Sequence, residues 1–226
     1  MNYLRWAYME LEDLRGICTD PGSLRRWVNA VFPDNPLLHQ HDPAQGKPLF
    51  QYPLIQYKII DGLPMIFGID DGVEEVRCIY SQTRERAIKL GPAVIQAITL
   101  REGNSLLRET EPKSYSFLTP WLALNKENLK RYWGEKSWPE RKELLRKILV
   151  GNILSMAKSL GIMIDFRVRI RTMLDILKVE IPGHDLIAHG FLGCFEANLQ
   201  LPPLVGLGRH VSLGFGTVSE EESCWT

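Results

Sequence analysis

The chain has 226 residues, of which 45% are hydrophobic, and its 27 basic side chains equal its 27 acidic ones in number. These proportions supply a sizeable core, allow one large domain or two small ones, and exclude a uniformly basic nucleic-acid-binding chain. No run of eighteen apolar residues is present, and the N-terminus lacks the plan of a signal peptide, so we expect no membrane association. The cysteines are scattered without a CxxC pair, which is typical of free thiols in a cytoplasmic protein.

The first half of the chain predicts the element order β-α-β-β-α-β. A strand is expected over Tyr3–Leu11, and Asp20 precedes a run with helical spacing. Two β-rich runs flank Asp61-Gly62, which is among the strongest short-range signals for a hairpin. A helix over 73–82 and a strand over 85–90 complete the order. This order is the ferredoxin-like plan, which serves many functions, including the binding of single-stranded RNA.

The second half predicts helices on another small antiparallel sheet. Asn125 can cap a helix, and Ser137 with Glu140 forms a capping-box pattern that begins the clearest helix of the chain. The ranges 176–181 and 190–199 are expected to pair as strands.

The two halves together predict an α+β protein of two tandem ferredoxin-like (RRM-like) domains. The first is expected over residues 1–109, and the second over residues 110–226, with a glycine-rich loop near its C-terminal side. No sequence repeat links the halves, so their similarity would be architectural.

Basic residues are concentrated in the second half. Residues 124–178 contain thirteen Lys and Arg against six acids. A strand predicted over 165–172 alternates an apolar face with a face of three arginines, Arg167, Arg169 and Arg171. These arginines repel each other unless an anion lies across them, which favours a polyanionic ligand. Protection of an edge strand against aggregation is the alternative interpretation.

A loop near the C-terminus is rich in glycine. Its glycines are Gly206, Gly208, Gly214 and Gly216, and its polar members are Arg209, His210 and Ser212. A dinucleotide fingerprint would require glycine at position 211, where the chain has valine, and no Gly-Lys-Ser/Thr follows. The loop is therefore either a tight connection between two core elements or a cradle of backbone N–H groups for an extended polyphosphate.

Polar residues with catalytic potential lie between the first helix and the second strand. His39 and His41 are followed by Lys47 and Tyr52. Two histidines do not make a zinc site, because no cysteine pair or carboxylate cluster completes the ligand set. Imidazole titrates near neutral pH, and lysine and tyrosine can donate to a charged transition state, which suits metal-free acid–base catalysis. Plain surface residues are the alternative interpretation.

Four segments carry a resemblance to a known family. They are 117–125 (FLTPWLALN), 151–158 (GNILSMAK), the loop from Gly206 to Gly216, and 51–58 (QYPLIQYK). With them the chain resembles the CRISPR-associated endoribonucleases that cut long repeat-spacer transcripts into guide RNAs, within the repeat-associated mysterious protein (RAMP) superfamily. The similarity is closest to the archaeal and clostridial branch that works with type I-B effector complexes.

The resemblance implies a fold and a reaction. It implies two ferredoxin-like domains, with the glycine loop after the last helix of the second, and cleavage on the 3′ side of the repeat stem without metal or other cofactor. A 2′-hydroxyl attacks the adjacent phosphate, leaving a 2′,3′-cyclic phosphate and a 5′-hydroxyl. The implied partners are precursor and mature guide RNA and type I-B effector subunits, for a protein that is either a monomer or a homodimer.

The resemblance also implies roles for individual residues. His41 is expected to be the general base, His39 its partner or an alternate base, and Lys47 the stabiliser of charge on the phosphorane. Tyr52 is a further candidate, although Tyr57 also lies near. The expected RNA-binding residues are Arg141, Arg146, Arg167, Arg169 and Arg171, with Gly206, Gly208, Arg209, His210, Ser212, Gly214 and Gly216 of the loop.

An alternative from a different class is a non-catalytic RNA-binding subunit of a CRISPR effector complex that keeps the fold and the loop. The presence of His39, His41 and Lys47 favours the enzyme, because a protein that only binds RNA does not need them.

Overall fold

The computed structural model describes residues 3–33, 52–135, 137–182 and 187–223. The chain folds into two compact units. The N-terminal unit consists of Tyr3–Ser105 together with a distant short segment, Ser212–Gly214. The C-terminal unit consists of Leu106–Val211 and the described residues from Phe215 onward.

The N-terminal unit has the predicted ferredoxin-like arrangement. Its elements are β1 (Tyr3–Leu11), α1 (Pro21–Val31), β2 (Ile55–Ile60), β3 (Leu63–Ile69), α2 (Gly72–Glu85), β4 (Ile88–Leu90), β5 (Ala93–Ile95) and β6 (Ile98–Leu106). The main sheet has the order β2-β3-β1-β6, as this plan requires. Both helices pack on it, so that Val28 of α1 and Ile79 of α2 share one buried core with Ile66 of β3.

Local sequence signals explain two features of this unit. The carboxylate of Asp20 accepts hydrogen bonds from the backbone N–H groups of Gly22 and Ser23, which caps α1 as predicted. Asp61 and Gly62 both have positive φ, 49° and 73°, and they close the hairpin between β2 and β3. A two-residue turn with positive φ at both positions matches the right-handed twist of the strands.

The strand predicted over 85–90 is shorter than expected and lies outside the main sheet. The range 85–90 was expected to complete the sheet, but α2 continues to Glu85, and Ile88–Leu90 pairs only with β5 in a separate two-stranded sheet. The strand that completes the main sheet is β6. Gly91, with φ of 57°, turns the chain between β4 and β5 close to the Trp27 ring, so that the backbone of β4 pairs with this local partner.

The C-terminal unit repeats the same strand order. Its elements are β7 (Glu109–Trp121), α3 (Lys126–Gly134), α4 (Trp138–Ser159), β8 (Ile170–Glu180), β9 (Ile187–Leu199) and β10 (Val218–Glu221). The sheet order is β10-β7-β9-β8, so the first strand of this unit lies between its third and fourth strands, as in the first unit. The predicted α+β architecture with two ferredoxin-like sheets is confirmed. The predicted caps are confirmed too: Asn125 accepts from the N–H of Asn128, and Ser137 forms a capping box with Glu140.

The arginine strand begins later than predicted. Arg167 and Arg169 precede β8, which starts at Ile170. The Asn198 side chain of β9 holds this segment, because its Oδ1 accepts from the N–H of Arg169 and its Nδ2 donates to the carbonyl of Arg167. The alternation itself is confirmed, since Val168 and Ile170 are buried and the three arginines, Arg171 included, are exposed.

The segment that leads into the glycine loop forms a turn and no α-helix. Residues 200–217 are all described, and between β9 and β10 they form only a short 3-10 helix, Val211–Leu213. The glycine loop therefore occupies the place in the chain where the ferredoxin-like plan has its second helix.

The described residues include no helix that is both long and apolar enough to cross a membrane.

Candidate functional site

The predicted catalytic group falls only partly within the described residues. His39, His41 and Lys47 lie outside them, and Tyr52 lies inside. The geometry around Tyr52 therefore defines the described part of the candidate site.

A chain of hydrogen bonds leads from Tyr52 into the interior of the N-terminal unit. The Gln56 amide nitrogen donates to Tyr52 Oη over 2.9 Å and to the carbonyl of Pro53 over 3.3 Å. The Lys58 ammonium donates to Gln56 Oε1 over 2.8 Å. Gln56 and Lys58 are both 0% exposed, which is unusual for a lysine.

Gln56 and Lys58 lie on the face of the sheet away from the helices. Side chains alternate along a strand, so residues 56 and 58 share one face of β2 and Tyr57 points to the other. Tyr57 belongs to the core beneath the helices, and its hydroxyl donates to Asn29 of α1. On the opposite face, Phe67 of β3 pairs with Gln56 of β2, and its ring centroid lies 5.2 Å from Lys58 Nζ.

Burial changes the acid–base properties of Lys58. Loss of water around the charged amine lowers the pKa of Lys58 to about 7. A lysine with a pKa near neutrality changes charge under physiological conditions, which is typical of functional sites. Sequence patterns did not single out this residue, because a glutamine and a lysine that alternate with apolar residues look like the solvent-facing side of a strand.

Replacing Lys58 by methionine is expected to raise the free energy of unfolding at pH 7 by roughly 2 kcal/mol. The folded pKa is about 7, and the unfolded value is about 10.4. The unfolded chain binds more protons between these values, so the buried amine costs about 4 kcal/mol at pH 7, and this cost declines as the pH rises. Methionine has a similar volume but leaves Gln56 Oε1 without this donor, which costs roughly 1–3 kcal/mol.

At pH 10 the same substitution is expected to destabilise the protein by about 1 kcal/mol, because the amine is then neutral and mainly the lost hydrogen bond remains. Chemical denaturation at both pH values measures the reversal. Lys89→Met, at an exposed position of β4, is the matched control and should show no reversal. A Lys58→Met variant that is less stable than wild type at both pH values contradicts the expectation.

The tip of the glycine loop belongs to the same unit as Lys58. Gly214 has φ of 77° and packs on the backbone of β2. A Cβ at this position would lie 2.6 Å from the carbonyl oxygen of Tyr57 and 3.0 Å from Lys58 Cα. Gly214 is therefore required for a close approach of two backbones that helps to cover Lys58.

The other glycines of the loop have packing roles in the C-terminal unit. A Cβ at Gly208 would lie 2.7 Å from Trp121 Nε1, and one at Gly216 would collide with the carbonyl of Leu207. Gly206 and Gly216 are buried. Close packing thus accounts for this glycine spacing independently of any ligand.

Several backbone donors of the loop bond within the protein. The N–H groups of Leu207, Arg209, Gly216 and Thr217 donate to Gly216 O, Leu122 O, Pro120 O and Thr119 Oγ1, respectively. A phosphate at this loop would have to use other donors. The polar side chains offer such donors. Arg209 is exposed, and its Nη1 donates to the carbonyl of Leu124 over 3.1 Å. His210 and Ser212 are half-buried.

Carboxylates lie beside the predicted RNA-binding arginines. Arg169 pairs with Glu109 of β7 over 3.0 Å, and Arg171 pairs with Glu196 of β9 over 3.3 Å. The two arginine side chains remain 65% and 69% exposed. The row of arginines was expected to need neighbouring anions, and these carboxylates are such anions. Exposed ion pairs of this kind are weak enough for RNA phosphates to displace the carboxylates.

The predicted arginines of α4 have different surroundings. Glu143 binds Arg146 through two bonds of 2.6 Å. Arg141 donates to the carbonyl of Glu135 and stacks over Tyr132 and Trp133, with its Cζ 5.4 and 5.6 Å from the ring centroids. Guanidinium groups held in this way are fixed in position while keeping their charge.

Aromatic side chains make this part of the surface unusual. Trp133 and Trp138 are 51% and 46% exposed. Lys142 Nζ lies 5.7 Å from the Trp138 ring centroid, and the His189 ring meets the Trp133 ring edge-on at 5.6 Å. Exposed rings beside cations can stack on unpaired nucleobases. Arg141 was expected here from the sequence, and the two tryptophans were not.

The described residues contain no group of three or more His, Cys, Asp or Glu side chains that is arranged to hold a metal ion.

Comparisons with known proteins agree with the fold. The family model of the Cas6b N-terminal domain matches residues 2–105, and that of the Cas6b C-terminal domain matches residues 108–221. An uncharacterized protein of Methanocaldococcus jannaschii, MJ0978, is 41% identical over 109 residues, which are 48% of this chain and 72% of that protein.

Solved structures extend the similarity to the whole chain. The crystal structure of Cas6b is 30% identical with a TM-score of 0.81, and that of the CRISPR RNA processing endoribonuclease Cas6b is 26% identical with a TM-score of 0.73. Both similarities cover 97% of this chain and 100% of the other. Csf5, a type IV Cas6 crRNA endonuclease, shares the fold at 12% identity, with a TM-score of 0.64 over 97% of this chain and all of its own. Because the two family models cover nearly every residue, this chain belongs to the Cas6b family.

Proposed function

We propose that this protein is an endoribonuclease that cuts CRISPR precursor RNA within its repeats. The observation that carries the proposal is the match of Cas6b family models to residues 2–105 and 108–221. The similarity of the whole fold to a CRISPR RNA processing endoribonuclease supports the same activity.

The proposed reaction is a transesterification without a metal ion. The 2′-oxygen of the nucleotide before the cut forms a bond to phosphorus, and the bond from phosphorus to the next 5′-oxygen breaks. The proton of the 2′-hydroxyl passes to a base, and the leaving 5′-oxygen receives a proton from an acid. The products are a 2′,3′-cyclic phosphate and a 5′-hydroxyl.

We assign the proton transfers to the two histidines. His41 is the proposed base, because a neutral imidazole can accept a proton near pH 7, and His39 is its partner or the alternate base. Lys47 is proposed to stabilise the charge on the phosphorane. Tyr52 is proposed to donate a hydrogen bond at the same site, which its half-exposed position at the outer end of the Gln56–Lys58 chain supports.

The C-terminal unit offers cations for the RNA backbone. We propose that Arg167, Arg169 and Arg171 contact phosphates, together with Arg141 and Arg146 of α4. Arg209, His210 and Ser212 of the glycine loop are further proposed contacts. The exposed rings beside Arg141 support binding of unpaired bases. The proposed ligands are precursor and mature guide RNA, and the proposed protein partners are type I-B effector subunits.

Cleavage of the organism's own repeat RNA is expected to proceed fully in EDTA. The proposed base, acid and charge stabiliser are all side chains, so removing divalent cations takes no catalytic group away. Gel analysis of end-labelled RNA measures the cut. A phosphatase that cannot open a cyclic ester leaves a 2′,3′-cyclic phosphate in place, which identifies that end. A kinase transfers labelled phosphate to a 5′-hydroxyl without prior phosphatase treatment, which identifies the other end.

The matched control is the same reaction with added magnesium, which should change neither the site nor the product ends. A strict requirement for magnesium, or products with 5′-phosphates, overturns the mechanism. Tight binding of the repeat without any cleavage indicates the non-catalytic RNA-binding subunit instead.

A further inference from the structure

Two exposed tryptophans mark the corner between α3 and α4. Trp133 and Trp138 are 51% and 46% exposed, whereas the other described tryptophans are buried or half-buried. Trp133 lies in the last turn of α3, and Trp138 is the first residue of α4. Single apolar residues are common at protein surfaces, but two exposed indole rings five residues apart are typical of a surface that contacts another molecule.

Each of these rings has a cation of α4 beside it. The guanidinium carbon of Arg141 lies 5.6 Å from the Trp133 ring centroid, and Lys142 Nζ lies 5.7 Å from the Trp138 ring centroid. Trp138 and Lys142 are four residues apart, so they share one face of the helix. These cations would repel a ligand that is itself cationic. A ligand that joins a flat ring to an anion finds a partner for both of its parts.

Contacts within the C-terminal unit fix this corner in place. Tyr132 is buried, and its ring meets the rings of Trp133 and of Phe191 in β9 edge-on, at 5.3 and 5.6 Å. Arg141 donates two hydrogen bonds to the carbonyl of Glu135, between the two helices. The capping box of α4 holds the turn that carries the second exposed ring. Rings that are already fixed lose little conformational entropy when a ligand stacks on them.

The charge around the corner is opposite to that of RNA. Residues 126–142 contain six Lys and Arg against three Glu. A local excess of positive charge attracts a polyanion. The bases of a paired stem are stacked on one another and cannot lie on an indole ring, whereas the bases of unpaired nucleotides can. The rings and the charge together favour single-stranded RNA.

We propose that Trp133, Trp138 and Lys142 form a binding site for unpaired nucleotides of the repeat RNA. Each indole ring stacks on a base, and the lysine ammonium group neutralises a phosphate next to the base on Trp138. Arg141 positions the Trp133 ring and adds charge beside it. This inference rests on the proposed function, because its ligand is the repeat RNA, and it assigns the single-stranded part of that RNA to the α3–α4 corner.

The test compares Trp133→Leu and Trp138→Leu with Trp138→Phe. Leucine stays apolar but has no ring to stack, whereas phenylalanine keeps one. Each leucine variant is expected to bind repeat RNA about 5- to 150-fold more weakly than wild type, the range for loss of one stacked base. Trp138→Phe is expected to recover most of that loss. Fluorescence anisotropy measures the dissociation constants on end-labelled RNA with a deoxyribose before the cut, which removes the proposed nucleophile and separates binding from cleavage.

Two further measurements separate stacking from a general loss of affinity. A blunt RNA duplex should bind the leucine variants and the wild type equally, because its bases are paired. Lys142→Gln should reduce the slope of log Kd against log salt by about 0.7, the contribution of one phosphate on a single strand, whereas the leucine variants should keep the wild-type slope.

Tyr3→Leu is the matched control. It removes an aromatic ring that is 54% exposed, but in the N-terminal unit, and it should bind the repeat RNA like wild type. Thermal unfolding shows that every variant is folded.

The failing outcomes are distinguishable. Leucine variants that bind repeat RNA like wild type overturn this inference and point to a protein partner for the two rings. An equal loss of affinity for the repeat RNA and for the blunt duplex also overturns it, because the rings then hold no unpaired base. A wild-type protein that binds the repeat RNA but never cuts it overturns the endoribonuclease alone, and one that does not bind the RNA overturns both.

Discussion

A repeat RNA that lacks the 2′-hydroxyl on the nucleotide before the cut is expected to bind with unchanged affinity and to remain intact. The 2′-oxygen is the proposed nucleophile, and no protein group or water molecule replaces it in the proposed reaction. Affinity is expected to persist because phosphate contacts dominate protein–RNA binding and the phosphates are unchanged. Cleavage gels and a filter-binding titration on the same RNA measure the two effects.

The matched control carries the deoxyribose one nucleotide further along, after the cut. This RNA should be cleaved at the normal rate, because the nucleophile is intact. Cleavage of the first substrate at the normal position would mean that water or a protein side chain attacks the phosphate. In that case the cyclic product could not form, and the roles given to the histidines would fail with it.

His41→Ala is expected to slow single-turnover cleavage by roughly 10²- to 10⁴-fold, the range for loss of a general acid or base. The dissociation constant for repeat RNA should not change, because one neutral imidazole contributes little to a polyanion's binding. Rapid-quench kinetics with protein in excess isolate the chemical step from product release.

His39→Ala is the matched comparison, since the same side chain is removed two positions away. A smaller loss than in His41→Ala is expected if His39 is the partner. A normal rate for His41→Ala together with a large loss for His39→Ala reverses the assignment. Normal rates for both variants remove the histidines from the mechanism.

Features that depend on neighbouring residues could be read from the sequence. The cap of α1 needs only Asp20 and the N–H groups that follow it, and the capping box needs only Ser137 and Glu140. The hairpin follows from Asp61-Gly62, because these residues accept positive φ. Each of these arrangements is confirmed.

Features that depend on distant partners were harder to predict. The segment 85–90 looks like a strand, but only the pairing of β6 with β1 decides which strand completes the sheet. The start of β8 was misplaced because Asn198, far along the chain, bonds the segment before Ile170. Carboxylates of other strands, such as Glu109, likewise meet the arginines only in the fold.

The candidate site divides in the same way. The residue types pointed to His39, His41 and Lys47, and the family resemblance supplied their roles, which stay predictions. The domain division between residues 109 and 110 stays a prediction too. The resemblance did not supply the Gln56–Lys58 pair, because burial of a lysine cannot be read from a strand pattern. The glycine spacing alone left a tight connection and a ligand cradle both open, and only the contacts at Gly208 and Gly216 reveal the packing requirement.

The three residues Ser212–Gly214 complete a unit whose other residues all lie before Leu106. A ribosome releases the β2 strand long before it releases these residues. A nascent chain can therefore form the hairpin and both helices while Lys58 still lacks the Gly214 backbone that packs on it. The packing around β2 is thus completed only after most of the C-terminal half has been synthesised.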